Sequence, residues 1–467
     1  MSMIFLGALA AASTMVSVLP VNNLELTYSK VTNSNRIGLS HKPEISGVKC
    51  SKLDRIRIVK AERFQCKKSS AGLRWVAVSV KPQKIVPSKT ATSQVPKTEN
   101  ILSGDFSLDA TCADVGTAPS YWQTSSGFPK MSERIPSAGT VNVLMLPVDF
   151  PDLVATGSPS KDMLPITKAV GDVYADLSGG SLSFAFQTLP NYLRVSRNTT
   201  SWGMGAWGSG RGDAYVEGIV RELDPQVDFS GVDVVVVMAP PNLKNDQIAY
   251  SPANPYPSNN PLVTNEKRIF SSTLVGADGW RDPMTIVHEF GHLLGWPDLY
   301  VLPYPSGEYW EGQRYVGKWD FMGYAWTRGT FGWLRYLQGW LTEPEVLCAS
   351  AKGEYLVGLS PLGSISKKAE LLLIRGVSGK LIGVEVRRPS ANEGFVSAAT
   401  QGALVYTIDA LVTTGNGPLR IQGNSLFSAG YLADAALKKG QSLTVDGWQI
   451  SVVETDSFGD LIKAIKL

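Results

Sequence analysis

The chain has 467 residues, 43% hydrophobic and 18% charged, with a net charge of +3. That length favours two or three folded units, and the charged fraction lies below the roughly one quarter usual in soluble proteins. The small positive excess falls mainly in the first hundred residues, and no basic stripe interleaved with aromatics follows, which argues against a nucleic-acid partner.

At the amino terminus, the apolar run from Met3 to Ala12 is too short to span a bilayer but suits the core of a signal peptide. Small residues from Ala10 to Ser13 offer cleavage positions, although no Lys or Arg precedes the run. Residues 1–20 are therefore expected to be a signal peptide and the protein to be secreted. No other stretch is long and apolar enough to cross a membrane. Residues 21–80 read as irregular, polar and basic, with short strand-like runs such as Leu73 to Val80, and residues 81–100 have the Lys, Pro, Ser and Thr content of a solvated linker. The whole of 21–135 reads as a pro-segment or linker region, a surface spacer being the alternative. Four cysteines in an exported chain are compatible with two disulfides. Cys50 and Cys66 are close in sequence, which leaves Cys112 for Cys348. The alternative is a reduced Cys112 whose thiolate blocks a downstream metal.

Regular structure becomes readable from about residue 138. Val141 to Phe150 is an apolar run of strand length, and Pro165 to Leu177 has helical spacing after a proline start. Leu182, Phe184 and Phe186 alternate as in a strand, and Ala214 to Leu223 is again helical. Val232 to Met238 is β-branched and apolar, as a buried central strand should be, whereas Arg268 to Val275 is more polar and a candidate sheet edge. This order predicts an α+β fold with a mixed sheet over 136–345. From 346 to 467 the helical period disappears, and strands between Gly-rich turns predict a β-rich, sandwich-like part whose first strands pack on the core before them.

The segment Asp282 to Tyr300, DPMTIVHEFGHLLGWPDLY, carries the chemistry. Asp282 can cap a helix, Pro283 can open it and Gly295 can end it. His288 and His292 are four apart, so both imidazoles project from one side of the helix and can chelate one Zn²⁺. Glu289 stands beside the metal, placed to take a proton from a zinc-bound water. Gly295 and Asp298 extend the motif to HExxHxxGxxD. The glycine allows a sharp turn that returns Asp298 beneath the metal as third ligand, with Glu308 and Glu311 as rivals for that place. The chain has three histidines, and the third, His41, lies in the irregular front segment.

A second constellation, Trp319 to Trp326 (WDFMGYAW), follows Asp298. HEFGHLLGWPDLY followed by GKWDFMGYAW resembles the immune inhibitor A family of secreted bacterial metallopeptidases, within the metzincin clan. The resemblance extends more loosely over about residues 138 to 410. It implies a zincin-like catalytic domain with an active-site helix and one catalytic zinc. Met322 would then lie in the turn beneath the metal, and Tyr324 would donate a hydrogen bond to the developing oxyanion. One departure is Trp296, where a smaller aliphatic is expected and an indole would narrow the pocket below the zinc.

Together these features predict a secreted zinc endopeptidase. His288, His292 and Asp298 are the metal ligands, Glu289 the general base and Tyr324 a second catalytic group. Its substrates would be proteins or peptides laid along the Arg268 to Val275 edge, and it would act as a monomer without nucleic acid or a transmembrane span. An exported binding or adhesion protein on a degenerate peptidase scaffold and a zinc amidase of the cell wall are the alternatives. Structural calcium is common in secreted peptidases, but no loop here has calcium-ligand spacing. Arg211-Gly212-Asp213 opens a predicted helix and reads as a coincidental integrin-type tripeptide.

Overall fold

The structure is a computed structural model, and it describes residues 49, 56–59, 62–77, 98–106, 112–113, 124–206, 210–306, 309–342, 344–349, 353–364, 366, 368–390, 393, 395–423 and 430–467. The expected signal peptide, Cys50, Glu308 and most of the 81–100 tract lie outside these residues. The chain falls into two compact units, 1–92 and 93–467. It is 17% helix and 31% strand in several separate sheets, which makes it α+β. Among the described residues no helix is long and apolar enough to cross a membrane.

In the first unit, Ile56–Val59, Glu62–Ser69 and Gly72–Ala77 form an antiparallel sheet. The irregular reading of residues 21–80 is thus corrected over 56–77, where the strand-like run from Leu73 is a strand as far as Ala77. Cys66 and Trp75 oppose each other across two of the strands and both are buried, while the neighbouring Lys67 and Lys68 are exposed. One buried cross-strand pair fixes the register here, and it leaves little periodicity to read. Cys66 is disulfide-bonded.

The second unit is built on a mixed sheet. Gly139–Asp149, Leu182–Thr188, Val234–Met238 and Ser271–Val275 run parallel, and Ala253–Pro255 pairs antiparallel at one edge. Side chains alternate across the pleat. Val141, Val143, Val234 and Val236 therefore face the helices Pro159–Leu177 and Pro283–Leu293, whereas Leu144, Leu146, Val235 and Val237 face the helix Gly212–Leu223. Burial on both faces explains why these strands read as continuous apolar runs.

Two expectations are corrected. Arg268 to Val275 is not the sheet edge, because Ser271–Val275 is flanked by Val234–Met238 and Ala253–Pro255. The true edge is three residues long and ends in a proline, which an edge strand tolerates but which leaves no alternation to detect. The first long helix starts at Pro159, six residues before Pro165, which lies within it. Pro159 occupies the first turn, where a missing N–H is harmless, and its burial with Met163 extends the core-facing stripe.

The C-terminal part holds two five-stranded sheets. One contains Val346–Ala349, Leu371–Arg375, Leu381–Arg387, Gly402–Ile408 and Leu419–Gln422; the other contains Glu354–Leu359, Ser442–Val445, Trp448–Thr455, Asp460–Lys466 and the short Leu102–Ser103. Leu372, Ile382 and Val405 from the first pack on Tyr355, Trp448 and Ile462 from the second. On its other face the first sheet contributes Leu371, Leu373, Tyr406 and Ile408 to the same core as the Pro283–Leu293 helix. One sheet thus serves two cores. Linker character also ends before Thr98, which is buried and donates to Asp456 through its N–H and hydroxyl.

Cys112 and Cys348 form a disulfide with Cα atoms 6.0 Å apart, the expected pairing, and Cys112 is therefore not a free thiol. The bond closes a loop of 236 residues, and long loops gain most from closure. A Cys112→Ser/Cys348→Ser variant is expected to lose about 2–5 kcal/mol in urea unfolding. An unchanged midpoint would contradict that structural role.

Candidate metal centre

The helix Pro283–Leu293 begins as its sequence dictates. The Asp282 carboxylate accepts the Met284 N–H at 2.9 Å, and Pro283 fills the first turn. Ile286, Val287, Phe290 and Leu293 bury against the core. The helix ends at Leu294, and Gly295 follows with φ of +98°, a left-handed conformation that favours glycine. Residues 124–135 brace this end: Ser125 N–H donates to Gly295 O at 3.0 Å and Ile135 N–H to Leu293 O at 3.1 Å.

Ligand-bearing atoms of His288, His292 and Asp298 lie within 4.8 Å of one another, and the three could hold a metal ion. Nδ1 of His288 donates to the Phe321 carbonyl at 2.9 Å, and Nδ1 of His292 donates to the Trp296 carbonyl at 2.8 Å. Those bonds settle the tautomer, because a carbonyl oxygen can only accept. Each neutral ring must then present a bare Nε2 lone pair. Both Nε2 atoms point at one carboxylate oxygen, Asp298 Oδ1, from 3.1 and 3.2 Å. Three acceptors facing one another repel unless a cation or added protons lie among them. Two imidazoles and a carboxylate suit a first-row divalent ion, and carbonyl acceptors behind the rings orient them for it.

Burial works against a charged His292, but Asp298 and the Trp296 carbonyl outweigh it and raise its pKa. Burial likewise opposes the Asp298 carboxylate, yet the two histidines hold it well below the usual range. Glu289 is pushed up to about 8, first by burial and then by Asp298 against the pull of His288. A dication on the neighbouring ligands would lower it again. Its Oε2 accepts the Ala253 N–H at 2.6 Å, which places the edge strand Ala253–Pro255 beside this carboxyl group.

The turn around Met322 lies under the helix. Met322 is fully buried, and a Cβ built on Gly291 would come within 2.4 Å of its sulfur, so any larger residue at 291 would have to displace the thioether. Asp320, also fully buried, holds the turn together. Its carboxylate accepts the N–H groups of Met322 and Phe331 and the hydroxyl of Thr330, at 2.7, 2.8 and 2.8 Å. Burial pushes its pKa up to about 6 against those bonds. Arg387, from the first C-terminal sheet, donates to Glu385, Glu393 and the Thr330 carbonyl, which ties the same turn to that sheet.

The remaining expected residues are placed as follows. Glu311 lies in the short helix Tyr309–Gln313 and is not part of the three-ligand group. The Tyr324 ring packs against Trp326 and Tyr431, with Lys318 over its face. Trp296 does not line a pocket, contrary to expectation. It is fully buried among Tyr174, Phe321 and Trp340, where its bulk fills the core under the turn. Arg211 and Asp213 pair with each other at 2.5 Å.

Sequence reasoning missed several partners. Tyr300 stacks on His288 with ring centroids 6.0 Å apart, and its hydroxyl bonds the Asp298 carboxylate. Its place two residues after Asp298 was the available signal. Asp320, beside the expected methionine, had none beyond proximity. Thr414, which meets Asp298 from 116 residues away, had no signal at all. No protein-family model matches the chain, and no curated protein matches it.

Two outcomes follow from this geometry. Asp320→Asn turns an amide N–H₂ toward donors, and it should cost about 1–3 kcal/mol in urea unfolding and weaken metal binding; unchanged values for both would show that the turn does not depend on the carboxylate. Metal binding must displace protons from the imidazoles, whose protonated form Asp298 favours at His292. Zinc affinity measured by competition should therefore fall steadily from about pH 8 to about pH 5, and a flat profile would argue against histidine ligation.

Proposed function

We propose that the chain is a secreted zinc-dependent endopeptidase of the immune inhibitor A type, with a metzincin-like catalytic domain. The observation that carries this reading is the convergence of three lone-pair donors on one point, with the half-buried carboxyl of Glu289 adjacent in sequence to the first of them. Zinc bound there would lower the pKa of its water to about 7 and polarise a substrate carbonyl.

The chain's own residues supply the rest of the chemistry. His288, His292 and Asp298 would hold the metal. Glu289, ionised once a dication lies beside it, takes the proton of the attacking water and later delivers it to the leaving amine. The Ala253 N–H fixes one of its oxygens, leaving the other for the water. Tyr324, two residues after Met322, is assigned the developing oxyanion. An extended substrate would lie along Ala253–Pro255, where a cleft of about 370 Å³ is lined by Arg211, Tyr250, Asn254 and Tyr256.

The test is metal content together with casein cleavage, on wild type and Glu289→Gln. One zinc per chain in both, with cleavage in wild type alone and abolished by a chelator, is the expected result. Full activity in the variant would remove Glu289 from the mechanism. Zinc in both without cleavage of casein would favour the binding-protein or cell-wall amidase readings.

A further inference from the structure

The third ligand is the least supported of the three within its own segment. His288 and His292 sit on a helix, whereas Asp298 lies in an irregular stretch beyond Gly295. Tyr300 bonds its carboxylate from the same segment, and further support arrives from the C-terminal part. Thr414 lies in the turn between the strands Gly402–Ile408 and Leu419–Gln422. Its Oγ1 accepts the Asp298 N–H at 2.8 Å and donates to Asp298 Oδ2 at 3.4 Å. The neighbouring Gly415 N–H donates to the Asp298 carbonyl at 3.0 Å, and its own carbonyl accepts from Leu302 N–H at 2.9 Å. Residues 298 and 302 are thus bound to consecutive residues of one turn.

The turn carries hydrogen bonds of its own. Asp409 N–H donates to Pro418 O at 2.8 Å, Asn416 N–H to Thr413 O at 3.1 Å, and the Asn416 side chain to Thr413 Oγ1 and Thr414 O. Arg420 donates to the carbonyls of Asn416 and Gly417 and stacks 4.4 Å from the Tyr315 ring. Both bonds of Thr414 to Asp298 are made by its own hydroxyl, and neither requires the Thr413 side chain. With Oδ2 engaged by Thr414, the Asp298 carboxylate is turned so that Oδ1 faces both imidazoles.

We propose that Thr414 is a positioning residue for the metal centre: its hydroxyl orients Asp298 for ligation, so the C-terminal part of the chain completes the site. The inference rests on the metal-centre reading above. Partners behind a ligand of this kind are worth about 10- to 100-fold in metal affinity.

The experiment uses the full chain. Zinc affinity is measured by chelator competition, and the visible absorption of the Co²⁺-loaded protein reports the ligand field. Thr414→Val, near in shape and without the hydroxyl, is expected to bind zinc about 10- to 100-fold more weakly and to alter the cobalt spectrum. Thr414→Ala, which removes the hydroxyl without adding a methyl, should give the same loss should the valine variant fold poorly. Thr414→Ser should restore wild-type values, and Thr413→Val, whose hydroxyl meets only the Asn416 side chain in this turn, should leave both readouts unchanged. Wild-type affinity and spectrum in Thr414→Val and Thr414→Ala would overturn the proposal. Equal losses in Thr413→Val would overturn it too, by showing that the turn acts as a whole. A wild-type chain that binds no zinc would instead overturn the metal-centre reading on which it stands.

Discussion

Everything at the centre of this molecule depends on two backbone carbonyls. By accepting from Nδ1 of His288 and His292, Phe321 and Trp296 force both Nε2 lone pairs toward the same carboxylate oxygen. An arrangement of three acceptors with no donor among them is unfavourable on its own. A cation or added protons among the three would relieve it. The carbonyls are in place because of features further out: Gly295 turns the chain so that Trp296 O points back at the helix, and the Asp320 carboxylate gathers the turn that carries Phe321 O.

The sheet Val346–Gln422 then matters for more than its own stability. One of its faces closes the C-terminal sandwich, and the other belongs to the core that carries the metal-site helix. Its polar connections run the same way, from Arg387 and Glu385 to the turn after Met322 and from the 409–418 turn to Asp298. The two regions separated on pattern at residue 345 are therefore continuous in their packing around the site.

How much of this was legible follows from the range over which each interaction acts. The histidine pair, the intervening glutamate, the cap at Asp282 and the turn at Gly295 are governed by neighbours within a few residues, and sequence spacing carries them directly. Buried strands such as Val234–Met238 declare themselves through unbroken apolar runs. The edge strand Ala253–Pro255 is too short to show alternation, and the helix from Pro159 hides its first turns behind a second proline. The role of Trp296 was misjudged because a side chain near a metal can point into a pocket or into the core, and spacing alone does not separate the two. Thr414 and Asp320 are invisible for a different reason: their partners are set by tertiary approach, and no local pattern marks a threonine that will meet an aspartate 116 residues away.

The bond between Cys112 and Cys348 also decides what limited proteolysis can do to this chain. A single cut at any exposed loop between those positions leaves both pieces covalently joined, so a nicked molecule keeps its helix, its methionine turn and Asp298 on one particle. A cut ahead of Cys112 has no such retention, apart from whatever the bonded Cys66 holds within its own unit. Under oxidising conditions a single cut ahead of the helix Pro283–Leu293 severs the covalent tie only of a piece lying before residue 112.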